Sequence, residues 1–194
     1  MKIRKSLLES IEIQIVRTDN NVPLQVDNMC SAWGGLPYSE LSVILVHLRY
    51  LQLMHQNHHW TAKGDPFYGD HLLFSGLYDT VTGEIDTVAE KAVGLGTTDN
   101  VNLQLQVTQL AQLLQSYGMS QTIPQASELA KRSLAAEMNF LAVLGVILCR
   151  LKESCQSTPG LDNMLAGIAD IHEKHVYLLK QRCSLDVATE SDQS

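Results

Sequence analysis

Long helix-forming segments, separated by breaks that contain glycine and proline, constrain the fold of this chain more than any other feature. No stretch keeps the apolar–polar alternation of a β-strand. The long segments cover about 37–61, 67–96, 124–155 and 161–183. A shorter amphipathic segment, LQLQVTQLAQLLQSYG, lies between the second and the third. The pattern predicts an all-α protein.

Four long helices, with a short helix in the middle connection, predict a four-helix bundle with one long crossover. This is the ferritin-like topology, although periodicity alone leaves other bundles open. We predict an irregular N-terminal extension over residues 1–36 and the bundle over residues 37–183. Residues 184–194 are predicted to form an acidic, disordered tail.

Composition narrows the classes of function. A chain of 194 residues with 45% hydrophobic and 18% charged residues suits one soluble domain with a sizeable core. The formal net charge of −7 argues against a basic surface for nucleic acids and is compatible with attracting cations. The longest apolar run, FLAVLGVILC, is about half as long as a membrane span, so no membrane partner is expected.

The cysteines and the first residues indicate the cellular compartment. The 4 cysteines show no Cys-x-x-Cys pairing. The opening residues, MKIRKSLLESIEIQ, mix charge into the apolar run and do not resemble a signal peptide. We therefore expect free thiols in a reducing, cytoplasmic compartment.

Histidines and carboxylates form the most specific constellation. His59 ends the first long helix and His71 lies in the first turns of the second, so the tight connection can bring them together. Asp86 and Glu90 are four residues apart and share a helix face, where they can chelate one ion. Such ligands suit Fe(II), Zn(II) or Mn(II). The alternative is a solvated helix face with incidental histidines.

Helix geometry limits how these residues combine. His71 and Asp86 lie on one predicted helix, roughly 22 Å apart along its axis at about 1.5 Å per residue. They face similar directions but cannot bind the same ion. Either they belong to two half-sites, or a second copy of the chain completes one site through a two-fold interface.

The stretch from His55 to Gly96 resembles the Dps proteins, the mini-ferritins of the ferritin-like superfamily. The matching residues, which keep the family's spacing without a gap, are His59-Trp60, Lys63-Gly64, Phe67, His71, Asp86-x-x-x-Glu90 and Leu95-Gly96. A weaker likeness extends over about 37–183, where DIHEKHVYLLKQ is similar to the family's last helix.

The resemblance implies a hollow homododecamer with ferroxidase centres at its two-fold interfaces. In such a centre, His59 and His71 of one subunit would meet Asp86 and Glu90 of a neighbour. The centre would bind Fe(II) and oxidise it with hydrogen peroxide or dioxygen, and the cavity would store ferric iron and so protect against oxidative damage. Zn²⁺ or Mn²⁺ is an alternative metal for the same site.

One position departs from the family pattern. Ser75 stands where the family usually has an aspartate, and a hydroxyl is a poor replacement for a charged bridging ligand. We therefore expect one of the two iron positions to be weaker. His55, His58 and Asp79 are the candidates for compensating it, and the alternative for both histidines is polar cover on the first helix.

Two further residues take expected roles from the resemblance. Trp60 would lie beside the iron centre and intercept oxidising equivalents, or it would simply pack at the dimer interface. Asp162, at the start of the last helix, is a candidate for guiding cations inwards near a three-fold axis. The HEKH sequence at 172–175 lacks the spacing of a zincin motif. The chain also lacks the Glu-x-x-His pairs that larger ferritins carry inside each bundle.

DNA binding is the other activity associated with Dps proteins, and this sequence does not favour it. The terminal arm offers only Lys2, Arg4 and Lys5, and the opposite end is acidic. Twelve weak arms can still act together. A structural shell, or a DNA-compacting protein whose ferroxidase activity is impaired by Ser75, is therefore the alternative function.

Overall fold

The computed structural model of the chain describes residues 21–117 and 126–191. Within these ranges it contains six α-helices and one 3₁₀ turn, and no strand. The helices are α1 (Val22–Ser31), α2 (Ser39–Thr61), α3 (Phe67–Leu95), α4 (Leu103–Ser116), α5 (Ala126–Glu153) and α6 (Pro159–Ser191), and the 3₁₀ turn is Thr98–Val101. The predicted all-α bundle, with a short helix in its long crossover, is confirmed.

Helix α2 is the central element of the bundle. It packs against α1, α3, α4 and α5. Its run LSVILVHL at 41–48 is buried along its whole length, which leaves no polar face there. Because this run is buried on every side of the helix, Ser42 and His47 included, it must be covered all round, and this explains why α1 and α4 pack on the outside of the four long helices.

The core consists of two apolar clusters. The larger one includes Met54, Phe140 and Ile168, and the smaller one includes Leu134 and Val176. On α5 the change from one cluster to the other falls between Leu134 and Ala136, and on α6 it falls between Ile168 and Val176. Buried polar side chains lie close to both changes and are described below.

The N-terminal region differs from the prediction. Residues 1–36 were expected to be irregular, but Val22–Ser31 forms α1. A proline in the first turn favours this start, and Val22, Val26 and Met29 form one buried face. Trp33 is also buried and donates its indole N–H to Gln109 Oε1 at 3.0 Å. Residues 1–20, which include the basic arm, lie outside the described residues.

The last helix is longer than predicted. It begins at Pro159 and continues to Ser191, so the backbone of residues 184–191 is helical where a disordered tail was expected. Helical propensity and continuity with a packed helix outweigh the polar composition there. Residues 192–194 lie outside the described range.

One helix in the described part of the chain is long and apolar enough to cross a membrane by length and composition. It is the segment Glu128–Glu153 of α5, which packs against α1, α2 and α6. This segment carries the fully buried Glu137, so its apolar character reflects its place in the bundle core.

His47 makes folding sensitive to acid. The side chain is buried on α2, and its Nδ1–H donates to the carbonyl of Val43 at 2.9 Å. Its Nε2 has no hydrogen-bond partner in the described structure. Burial lowers the pKa of His47 from 6.5 to about 4. As the pH falls below 6.5, the unfolded chain therefore takes up a proton that the folded chain does not.

Replacing this histidine should make the bundle more resistant to acid. On lowering the pH from about 7.5 to about 5, the parent should lose roughly 2 kcal/mol per subunit through His47 alone. His47→Leu should lack this contribution. Urea unfolding at both pH values, with metal removed by a chelator, measures the difference. An identical loss of stability in parent and variant would contradict the prediction.

Candidate metal sites

His59 and His71 meet at the junction of α2 and α3. Their rings are stacked, with centroids 3.7 Å apart. His59 Nδ1 lies 2.9 Å from the carbonyl oxygen of His71, and His71 Nδ1 lies 3.1 Å from that of His59. Because a carbonyl only accepts, each Nδ1–H must be the donor. In the neutral form of each ring, Nε2 is then the unprotonated nitrogen, and neither Nε2 has a hydrogen-bond partner among the described residues.

The turn between the helices produces this meeting. Gly64 adopts a φ of +82°, in the left-handed region that glycine occupies without strain, and Pro66 precedes the first residue of α3. The chain therefore reverses within residues 62–66. The predicted approach of the two histidines is confirmed, while their role as metal ligands stays a prediction.

Aromatic rings flank the histidine pair on one chain. Phe67 lies 5.2 Å from His71 and Tyr78 lies 5.4 Å from His59, measured between ring centroids. Both histidines are half-buried, and Ser75, one turn beyond His71, is also half-buried. Trp60 is 68% exposed beside them. The pair is thus held in place but open on one side.

The two predicted carboxylates do not join the histidine pair within one chain. Asp86 and Glu90 are exposed, on the same uninterrupted helix α3 as His71. The roughly 22 Å axial separation that the sequence implied for His71 and Asp86 therefore holds. Their assignment to a shared site stays a prediction.

The remaining predicted residues lie near the surface. Asp79 is exposed on α3. Asp162 lies in the first turn of α6, half-buried, where its Oδ1 accepts a hydrogen bond from the hydroxyl of Ser157. Its place on a path for cations stays a prediction.

His55 and His58 are not polar cover on α2. They are 0% and 1% exposed. Both Nδ1 atoms contact the hydroxyl of Ser133 on α5, at 3.2 Å for His55 and 2.8 Å for His58. His55 Nε2 lies 2.8 Å from Glu137. The interpretation of both histidines as polar cover is wrong because α5 covers this part of α2 and both side chains are directed at the bundle core. Their role as compensating ligands stays a prediction.

Glu137 is the centre of a polar cluster inside the bundle. Its side chain is fully buried, and its Oε1 contacts His55 of α2 and His175 of α6 at 2.8 and 3.2 Å. Its Oε2 contacts His172 Nδ1. The other nitrogen of His172 lies 2.9 Å from Glu84 Oε2 on α3. All four long helices therefore contribute to one connected network.

The protonation of this cluster follows from its contacts. Burial alone would raise the pKa of Glu137, but hydrogen bonds from His172, His175 and His55 hold it well below its usual range. Burial alone would lower the pKa of His172, but its bonds to Glu137 and Glu84 raise it to about 9. Burial lowers the pKa of His55. His172 is therefore the imidazolium between two carboxylates.

Burial also lowers the pKa of His58, to about 3, and the neighbouring charges of His55 and Arg132 act in the same direction. His58 is thus neutral at physiological pH, and its ring packs edge-on against Phe74 with centroids 5.4 Å apart. It extends the cluster as a hydrogen-bond partner of Ser133.

Sequence reasoning missed the cluster because its members are far apart along the chain. His172 and His175 were compared with a zincin motif, whose spacing they lack. The available signal was their separation of three residues, which places both rings on one face of α6. A charged residue within the apolar α5, Glu137, was the second signal.

Comparison with known proteins adds information on the fold. No protein-family model matches this chain. Among solved structures, the chain is similar to DpsC from Streptomyces coelicolor, with a TM-score of 0.61 and 18% sequence identity. The similarity covers 84% of this chain and 85% of that chain. At this identity the likeness establishes a Dps-like, ferritin-like fold.

Ser133 should be important for stability because its hydroxyl lies between two buried imidazoles. Ser133→Ala leaves both His55 Nδ1 and His58 Nδ1 without this partner, at a cost of about 1–3 kcal/mol for each buried group left unpaired. Thermal unfolding of the metal-free protein measures the loss. The control, Ser184→Ala on the exposed face of α6, should change stability by less than about 0.5 kcal/mol. Equal effects of the two substitutions would refute the role of Ser133.

Proposed function

We propose that this protein is a mini-ferritin that binds and oxidises Fe(II) at sites shared between subunits and stores ferric iron in a hollow dodecamer. The stacked pair His59 and His71 is the observation that carries the proposal. Each Nδ1–H donates to a backbone carbonyl, which is the arrangement that fixes the ring and the tautomer of metal-binding histidines. Each Nε2 is left as a metal ligand.

A second copy of the chain would complete the site. Asp86 and Glu90 of that copy would supply the oxygen ligands, through a two-fold contact that brings antiparallel α3 helices together. The exposed apolar side chains near the histidine pair support such a contact, since large exposed apolar patches mark interaction surfaces. These side chains are Trp60, Phe67, Tyr68 and Leu72.

Iron oxidation requires little from the protein beyond binding the iron ions and balancing their charge. Two Fe(II) ions give one electron each to hydrogen peroxide, which is reduced to two hydroxide ions, or four supply the electrons that reduce dioxygen to water. The carboxylates stabilise the higher charge of Fe(III). Ser75 offers only a hydroxyl beside His71, so the second iron position in each site would be the weaker one. The same ligands accept Zn²⁺ and Mn²⁺.

The other elements of the proposal follow the ferritin-like fold. The protein would act in the cytoplasm and protect against oxidative damage by removing Fe(II) and peroxide together. Asp162, half-buried at the start of α6, would guide cations inwards near a three-fold axis. Trp60 would lie close enough to the iron site to intercept oxidising equivalents.

A second candidate function rests on Ser75. A site without the bridging carboxylate is compatible with a structural shell or a DNA-compacting protein in which ferroxidase activity is impaired. Stopped-flow iron oxidation separates the two functions. Fe(II) oxidation no faster than in buffer, together with no iron core, would leave the structural shell or DNA-compacting protein as the function.

Two substitutions test the shared site from opposite directions. Glu90→Gln keeps the shape of the side chain and removes its charge, so it should lower the initial rate of Fe(II) oxidation by at least about tenfold. Ser75→Asp adds a carboxylate one turn from His71, where a second cation would bind, and should raise both the rate and the iron bound per subunit. Stopped-flow absorbance and metal analysis measure the two effects.

The controls lie on the exposed surface of α6. Glu173→Gln and Ser184→Asp make the same chemical changes away from the histidine pair and should behave as the parent. If Ser75→Asp changes nothing and Glu90→Gln still oxidises iron as the parent does, the shared site is not the working one.

Assembly gives an independent prediction, because the shared site requires at least a dimer. The chain has 2 tryptophans, and Trp33 is buried whereas Trp60 is 68% exposed in one subunit. Light scattering should give the mass of twelve subunits. In the assembled protein, Trp60 should be covered by a neighbouring subunit. The fluorescence that disappears in Trp60→Phe should therefore have the short-wavelength emission of a covered indole. A monomer at micromolar concentration would contradict the shared site.

A further inference from the structure

The polar cluster inside the bundle has the composition of a metal site that needs only one chain. We propose that it binds one divalent transition-metal ion between Glu137, His172 and His175. Glu84 is the nearby carboxylate that completes the ligand set, and His55 positions Glu137. This site is separate from the one proposed between subunits, and it uses none of the same residues.

The geometry of the cluster fits an ion after small movements. One ligand atom from each of Glu137, His172 and His175 lies within 4.8 Å of the others. His175 Nδ1 and Glu137 Oε1 are 3.2 Å apart. In a tetrahedral site with metal–ligand bonds of about 2.1 Å, ligand atoms are separated by about 3.4 Å. The His175–Glu137 pair is therefore already close to the spacing that an ion requires. His172, whose two ring nitrogens contact Glu137 and Glu84, would bind the ion after one of them loses its proton.

An unpartnered oxygen is an independent observation. The side chain of Glu84 is 8% exposed, and its Oε2 contacts His172. Its Oε1 is buried without a hydrogen-bond partner in the described structure. A buried acceptor of this kind destabilises the fold when it is left unpaired. A cation beside His172 would give this oxygen a partner.

The free-energy cost of burying these carboxylates favours a functional role of the cluster over a purely stabilising one. Two carboxylates are placed in an apolar interior, where removing each charge from water is unfavourable. Apolar side chains of similar volume would stabilise the bundle at least as well. A divalent cation would balance the charge of both carboxylates.

The ligand types indicate the class of metal. Imidazole nitrogens with carboxylate oxygens suit Fe(II), Mn(II), Co(II) or Zn(II). Ca²⁺ and Mg²⁺ prefer sites made of oxygen alone. The cysteines are not involved, because Cys30 and Cys183 belong to the apolar clusters and the other two are exposed.

Cobalt binding tests the proposal on the assembled, full-length protein. After removal of metals by a chelator, the Glu90→Gln variant is titrated with Co²⁺ without oxygen, so that the site between subunits is already weakened. We expect one tightly bound Co²⁺ per subunit, with the visible absorption of a site of low coordination number. Diffraction at the cobalt edge should place the ion between α5 and α6.

Substitutions in the cluster identify the ligands. Glu137→Gln should remove the tightly bound Co²⁺. His175→Gln, at the edge of the cluster, should do the same, and it serves as the test if Glu137→Gln fails to fold. His55→Gln should weaken Co²⁺ affinity by about 10–100-fold, as expected for a residue that positions a ligand. Glu173→Gln, on the exposed side of the same helix, is the matched control and should bind Co²⁺ as the Glu90→Gln parent does.

The outcomes distinguish this site from the proposed function. No anomalous peak in the core, or equal Co²⁺ binding by the Glu137→Gln, His175→Gln and parental proteins, would overturn the proposal and leave a hydrogen-bonded network only. Slow iron oxidation in every variant would instead count against the ferroxidase, and Co²⁺ would still bind in the core.

Discussion

The contact of the Glu137 carboxylate with imidazoles from two other helices is the interaction on which this bundle depends. Apolar side chains pack well in several registers, so two packed helices can shift by a turn at modest cost. A buried carboxylate tolerates no such shift, because each lost hydrogen bond leaves a charge uncompensated. His55 of α2 and His172 of α6 therefore fix the register of their helices against α5.

The register of α2 determines what the neighbouring histidines do. His58 and His59 are adjacent in sequence and about 100° apart around the helix. With His55 held against Glu137, His58 reaches Ser133 on α5 and His59 reaches His71 near the start of α3. The cluster inside the bundle and the pair at its surface thus depend on one helix, although their contacts are different.

The sequence predicts the parts of this structure that depend on local order. The helix limits follow from glycine and proline, and the meeting of His59 with His71 follows from a connection of a few residues. The direction of His55 does not, because its partner Glu137 is 82 residues away. Helix α1 was missed for a related reason: burial of Val26 and Trp33 against distant elements stabilises a segment whose flanking asparagines and glycines indicate a loop.

The two metal sites that we propose differ in the number of their carboxylates and in the surroundings of those carboxylates. Between subunits, Ser75 leaves the site one negative charge short of what the resemblance to the mini-ferritins implies. In the core, Glu84 and Glu137 both contact His172 in a dry interior, where electrostatic interactions are stronger than at the surface. The surface site also requires a second subunit, whereas the core site is complete in one chain. A divalent ion at low concentration is therefore expected to fill the core first, and its presence there would hold the four helices in the register that the surface pair requires.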